Sequence, residues 1–156
     1  MAVDATARLY DVDEDTVVFT KLDKTQKYDQ GEVRFRARKG KLINLEKLHE
    51  SIWATRLSGR TSSGLVSLEV VAVGNVIKTQ DGATLKVADS DSEFHLIRSS
   101  EHPEVFDQLL QAGDDQETTV SITGVVDGYQ GRWPSLFKSS LPAVRTLRVT
   151  SFDTSD

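Results

Sequence analysis

The chain has 156 residues, of which 38% are hydrophobic and 28% charged, with a formal net charge of −5 and no cysteine. That composition fits one folded domain or two small ones rather than a disordered chain. It excludes disulfides, thiolate metal sites, iron–sulfur clusters and a cysteine nucleophile. No apolar run approaches the roughly 18 residues of a membrane span, and no basic-then-apolar leader stands at the start. The expectation is a soluble protein, cytoplasmic, or exported if a leader has been trimmed.

The first ten residues are polar and are expected to fray. Thr16 to Leu22 (TVVFTKL) is β-branched and aromatic and predicts a strand. The polar segment Asp23 to Gly31 predicts the loop of a hairpin. Glu32 to Arg38 (EVRFRAR) then alternates, with Val33, Phe35 and Ala37 on one face and Arg34, Arg36 and Arg38 on the other. Asn44 is a good N-cap for a helix over about 45–57, with Ile43 and Leu48 placed as a hydrophobic staple and Gly59 as its C-terminal stop. Leu45, Leu48 and Ile52 make the buried stripe.

Leu65 to Ile77 (LVSLEVVAVGNVI) carries apolar residues on both faces, which predicts a strand buried on both sides and shared between two halves of the molecule. Gln80–Asp81–Gly82 predicts a hairpin turn, followed by strands at 83–88 and 93–97. Pro103 opens a second helix at its first position, with Val105, Phe106, Leu109 and Leu110 on its apolar face and Gly113 at its end. A strand over 118–126, a long loop over 127–143 and a last strand over 144–152 complete the chain.

The order strand, strand, strand, helix, strand, strand over 66–153 resembles an OB-fold, a five-stranded, partly open barrel. The segments EVRFRARKG, NLEKLHESI and LEVVAVG in 10–65 and the following strand resemble the last four elements of a ferredoxin-like, heavy-metal-associated domain. That family holds soft metal on a Cys-x-x-Cys loop ahead of its first helix. Neither the cysteines nor that first strand and helix are present here, so the resemblance implies the fold without its metal chemistry. The expected architecture is α+β: a ferredoxin-like ββαβ layer joined by a shared strand to an OB-like five-stranded barrel with one helix.

Charge is unevenly spread. Residues 31–75 carry eight basic and four acidic groups, whereas 76–128 carry three and eleven. The overall acidity disfavours a general nucleic-acid coat, and an anion-binding surface belongs in 31–75 or in the basic stretch 129–156. Arg34, Arg36 and Arg38, with Lys39 and Lys41, form the first candidate, since a row of guanidiniums two residues apart can hold phosphates or carboxylates. The competing reading is neutralisation across the hairpin by Asp11, Asp13 and Asp15. The second candidate is the loop of Arg56 and Arg60. Its Gly59 and Gly64 have the outer spacing of a P-loop, but the following Lys-Ser/Thr is missing and the loop runs from helix to strand, which rules that motif out; the competing reading is a helix C-cap and a solvated connection. The third is the long loop with Tyr129, Arg132, Trp133, Phe137 and Lys138. The OB resemblance places it beside a ligand groove, where aromatics could stack bases; the alternative is a lid over the barrel.

The acidic runs 11–15 and 89–93 lack the glycine and final glutamate of an EF-hand loop and read as solvated surface. His49, His95 and His102 have no i, i+4 partner, and no nucleophile, metalloprotease or dinucleotide motif occurs. The expected function is therefore non-catalytic binding of an anionic or aromatic ligand or a protein partner, with no cofactor or metal. Two alternatives are single-stranded nucleic-acid binding on the barrel and a structural or homo-oligomeric assembly domain.

Overall fold

Apart from a short first helix, the described strands and helices form where period-two and period-3.6 patterning place them, and their ends follow local chemistry. The computed structural model describes residues 2–21, 31–39, 41–55, 67–80, 82–113, 118–127 and 145–154. The protein is a mixed α+β molecule, mostly sheet. The described residues up to 55 belong to one unit and those from 67 onward to a second.

In the first unit, a short helix α1 (Ala2–Ala7) leads into β1 (Val12–Lys21), which pairs antiparallel with β2 (Gly31–Ala37). Helix α2 (Leu45–Ala54) follows. The sequence pattern misses α1, because six residues without apolar periodicity are too few to nucleate a helix alone. Packing on β1 and α2 holds it, and its Thr6 is fully buried. Asn44 caps α2 as expected: its Oδ1 accepts the Lys47 N–H at 3.0 Å. Leu45, Leu48, Ile52 and His49 are buried. The helix stops at Ala54, short of the expected 57. There Thr55 turns extended, donating its N–H to the Ile52 carbonyl at 3.1 Å and its hydroxyl to that of Ser51 at 2.8 Å. Gly59 lies outside the described residues.

The second unit is a closed five-stranded barrel of β3 (Glu69–Thr79), β4 (Gly82–Val87), β5 (Glu93–Arg98), β6 (Thr119–Asp127) and β7 (Thr146–Thr154). Its order is β3-β4-β5-β7-β6, with β6 returning to β3. All neighbours are antiparallel except β5 and β7, which run parallel. Helix α3 (Pro103–Ala112) connects β5 to β6 and buries Phe106 and Leu109. Leu85, Leu96, Ile122 and Leu147 fill the interior at essentially zero exposure. At the end of α3 a Cβ on Gly113 would stand 3.0 Å from that of Val76, so the helix terminus lies directly on the inward face of β3.

β3 departs from expectation. Ala72, Gly74 and Val76 face the interior, while Val71, at 67% exposure, Val73 and Ile77 face outward. It is not a strand buried on both sides, and its partners are β4 and β6 of the barrel. A barrel strand has one packed face, the lumen. The β-branched residues opposite meet strand propensity without being core. The expected shared strand is therefore absent among the described residues: β1 and β2 make a two-stranded sheet of their own.

Arg98, at the end of β5, clamps α3. Its guanidinium donates two hydrogen bonds of 2.6 Å to the Asp107 carboxylate and one of 3.2 Å to the Pro103 carbonyl, and lies over the Phe106 ring. Hydrogen bonding from Arg98 holds the Asp107 carboxyl below the usual carboxylate range. Its contribution to stability is thus complete above the ordinary carboxylate pKa and lost as pH falls through the lowered value. The difference in melting temperature between the natural chain and Asp107→Asn should be widest near neutrality and close in acid, measured by thermal melts across pH. Because both side chains are about half exposed, added salt should narrow it at neutral pH as well.

Candidate functional site

β2 shows the alternation that EVRFRAR dictates. Arg34 and Arg36 are exposed, and Val33 and Phe35 on the other face are half-buried. Arg38 follows β2, exposed and on the same side as the other two arginines by strand parity. Opposite them β1 is irregular. Asp13 pairs with Arg36 and Val18 with Arg34, so residues 14–17 stand against Phe35 alone. A bulge of this size removes ladder bonds, and Thr16 replaces one. The Arg36 N–H donates to Thr16 Oγ1 at 2.9 Å, and the Thr16 hydroxyl donates to the Asp13 carbonyl at 2.7 Å. One hydroxyl thus bridges the gap and fixes the segment carrying Arg36.

Thr16→Val keeps the shape and removes both bonds. It should cost about 1–2 kcal/mol in the opening of this hairpin and speed amide exchange at Arg36 by about tenfold. Unchanged exchange at Arg36 would show that the hydroxyl does not hold the strand.

The arginines have different surroundings. Arg34 Nε bonds Glu32 Oε1 on its own strand at 2.7 Å. Arg36 has Asp13 opposite it in register, yet no ion pair joins the two side chains. Arg38 donates its N–H to the Asp11 carbonyl at 2.8 Å, and its guanidinium reaches the Val12 carbonyl at 3.4 Å. The Arg38 guanidinium and the Lys41 ammonium lie 5.6 and 5.1 Å from the centre of the Tyr10 ring. Such contacts attract a cation to the ring without cancelling its charge. Tyr10 is 68% exposed. Among the described residues, no carboxylate lies within ion-pair distance of Arg36, Arg38, Lys39 or Lys41. The basic side chains thus form a ladder along one edge of the first unit, ending on an aromatic ring.

The expected neutralisation by Asp11, Asp13 and Asp15 therefore takes a different form. Asp11 and Asp13 engage β2 and its bulge through main-chain carbonyls, and Asp15 stands in the bulge itself. Arg56, Arg60, Tyr129, Arg132, Trp133, Phe137 and Lys138 lie outside the described residues, as does the loop over 128–144.

No group of three or more His, Asp or Glu side chains that could hold a metal ion occurs among the described residues. His49 is buried on α2, His95 is half-buried on β5 and His102 is the exposed N-cap of α3, with no side-chain capping bond. Tyr10 is the site residue that sequence reasoning missed. Its signal, a lone aromatic just ahead of an acidic alternation, is visible only once the hairpin register places it beside Arg38. Comparison with protein-family models, with curated proteins and with solved structures gives no significant match.

Proposed function

We propose that this protein is a non-catalytic binding module whose basic face on the first unit, Arg36, Arg38, Lys39 and Lys41 with Tyr10, takes an anionic ligand. One observation carries the reading: in a chain of net charge −5, these cations stand together without a neutralising carboxylate among the described residues. Asp11 and Asp13, which could have quenched them, make main-chain contacts instead. Because these cations are exposed, an incoming phosphate or carboxylate reaches them without any rearrangement of the fold, and several charge-assisted hydrogen bonds together offset the hydration each group gives up.

Strand order, the parallel pairing of the third and fifth barrel strands, and the helix between the third and fourth support the OB-like reading of the second unit. The ferredoxin-like reading of the first unit has β1, β2 and α2 in its favour and lacks, among the described residues, the third strand of the ββαβ layer. A second functional reading, an assembly module, is favoured by the exposed apolar row Val71, Val73 and Ile77 on β3. It predicts a concentration-dependent mass in sedimentation or light scattering.

Titration with inorganic polyphosphate and with a single-stranded oligonucleotide at low salt tests the binding reading. The natural chain should bind at least one of them, with affinity falling steeply as salt rises. A variant combining Arg36→Gln, Arg38→Gln and Lys41→Gln should bind at least about tenfold more weakly. Equal binding by that variant would move the site elsewhere, and binding of the oligonucleotide alone would favour the nucleic-acid reading on the barrel.

A further inference from the structure

β2 has one neighbour, β1, among the described residues, and no described strand pairs with its other edge. The structure fixes which backbone groups face that edge. The N–H groups of Arg36 and Arg38 point toward β1, since they bond Thr16 Oγ1 and the Asp11 carbonyl. In an antiparallel strand the N–H and C=O of one residue point to the same side, and successive residues alternate. The main-chain groups of Val33, Phe35 and Ala37 therefore face the edge away from β1.

We infer that this edge accepts an extended peptide strand in which acidic and apolar residues alternate. Such a strand would bond the main-chain groups of Val33, Phe35 and Ala37. Residues directly opposite one another share a sheet face. Its apolar residues would thus stand opposite Val33, Phe35 and Ala37, and its carboxylates opposite Arg34, Arg36 and Arg38. The chain itself supplies the precedent on the other edge, where Val12 pairs with Ala37 and Asp13 with Arg36. β1 satisfies that pattern through its main chain, and no ion pair joins the side chains of Asp13 and Arg36. The guanidinium of Arg36 remains for a second acidic strand. Main-chain bonds would supply the affinity and the alternating pockets the specificity, as in other cases of strand addition. This inference rests on the anion-binding reading of the basic face and narrows its ligand to an acidic peptide of a partner protein.

The probe is a fluorescein-labelled decapeptide of alternating Asp and Val, read by anisotropy at low salt. Two controls accompany it: the same peptide with every valine N-methylated, and inorganic polyphosphate. The alternating peptide should bind, N-methylation should weaken it by at least about tenfold by removing the bonds to this edge, and Arg36→Gln with Arg38→Gln should weaken it comparably. Amide exchange at Phe35 and Ala37 should slow only when the peptide is present. Equal binding of the N-methylated peptide, or binding of polyphosphate without peptide, overturns the strand-addition inference and leaves the anion-binding reading in place. Binding of none of them overturns both. Protection of Phe35 and Ala37 without peptide means that another part of this chain or a second copy already covers the edge, and also overturns it.

Discussion

Gly74→Ala should open the barrel. Gly74 lies on the inward face of β3, opposite Val87 on β4 and Val120 on β6. A Cβ there would collide with the Lys86 carbonyl oxygen, and would stand 2.8 Å from the carbonyl carbon and 3.0 Å from the Val87 Cα. These are main-chain atoms of the neighbouring strand, held by the ladder, so no side chain can rotate away to make room. Either β4 shifts and loses its pairing with β3, or the barrel stays open. Overpacking against backbone belongs among the costly substitutions, about 3 kcal/mol or more, which for a domain of this size lowers the melting temperature by roughly 10 °C or more. Thermal melting followed by far-ultraviolet circular dichroism measures it. Val73→Thr, one residue away on the exposed face, supplies the control and should cost under about 0.5 kcal/mol. Equal melting of the two variants would mean that β3 and β4 are not so closely apposed.

The second large effect is at Leu109. It is fully buried on α3, and its carbonyl accepts the Gly113 N–H at 2.9 Å, so it anchors the last turn of the helix against the barrel. Leu109→Ala removes that packing and leaves a cavity between α3 and the barrel, whose strands are fixed by their ladders, so it can collapse only in part. The expected cost is about 3 kcal/mol, within the range for Leu→Ala in a tight core. Leu110, half-buried on the same helix, should cost clearly less when replaced by alanine. Denaturant unfolding of both variants gives the comparison. A similar cost at the two positions would show that α3 does not pack by one face.

These two positions also show what patterning makes visible. Leu109 was readable from the 3, 4 spacing of apolar residues after Pro103, because a helix with one apolar stripe has one way to bury it. Asn44 was readable too, since only a short polar side chain can return to the first-turn N–H groups. The arginine row on β2 follows directly from a period of two. Gly74 was not readable as a close approach, because the spacing between strands that makes its hydrogen indispensable belongs to the closed barrel and not to the local chain.

The misreading of β3 has the same origin. Val71, Val73 and Ile77 look like core by composition, yet which apolar face is covered depends on sheet closure, which alternation does not encode. Tyr10 and the bulge at 14–17 escaped for a related reason. The bulge exists only relative to the register of β2, and the Thr16 hydroxyl has no role until Arg36 presents its N–H. The site thus combines a legible half, the basic row, with an illegible one, the ring and the bridged bulge that position it.

The basic face is the central claim, and its most direct test is a nuclear magnetic resonance titration of isotope-labelled protein with inorganic polyphosphate. Shifts should concentrate on the side-chain Nε–H groups of Arg36 and Arg38, the amides of 34–41 and the Tyr10 ring, and should vanish at high salt. Shifts confined to β3, β4 and β5, or no shift at any salt concentration, would contradict it.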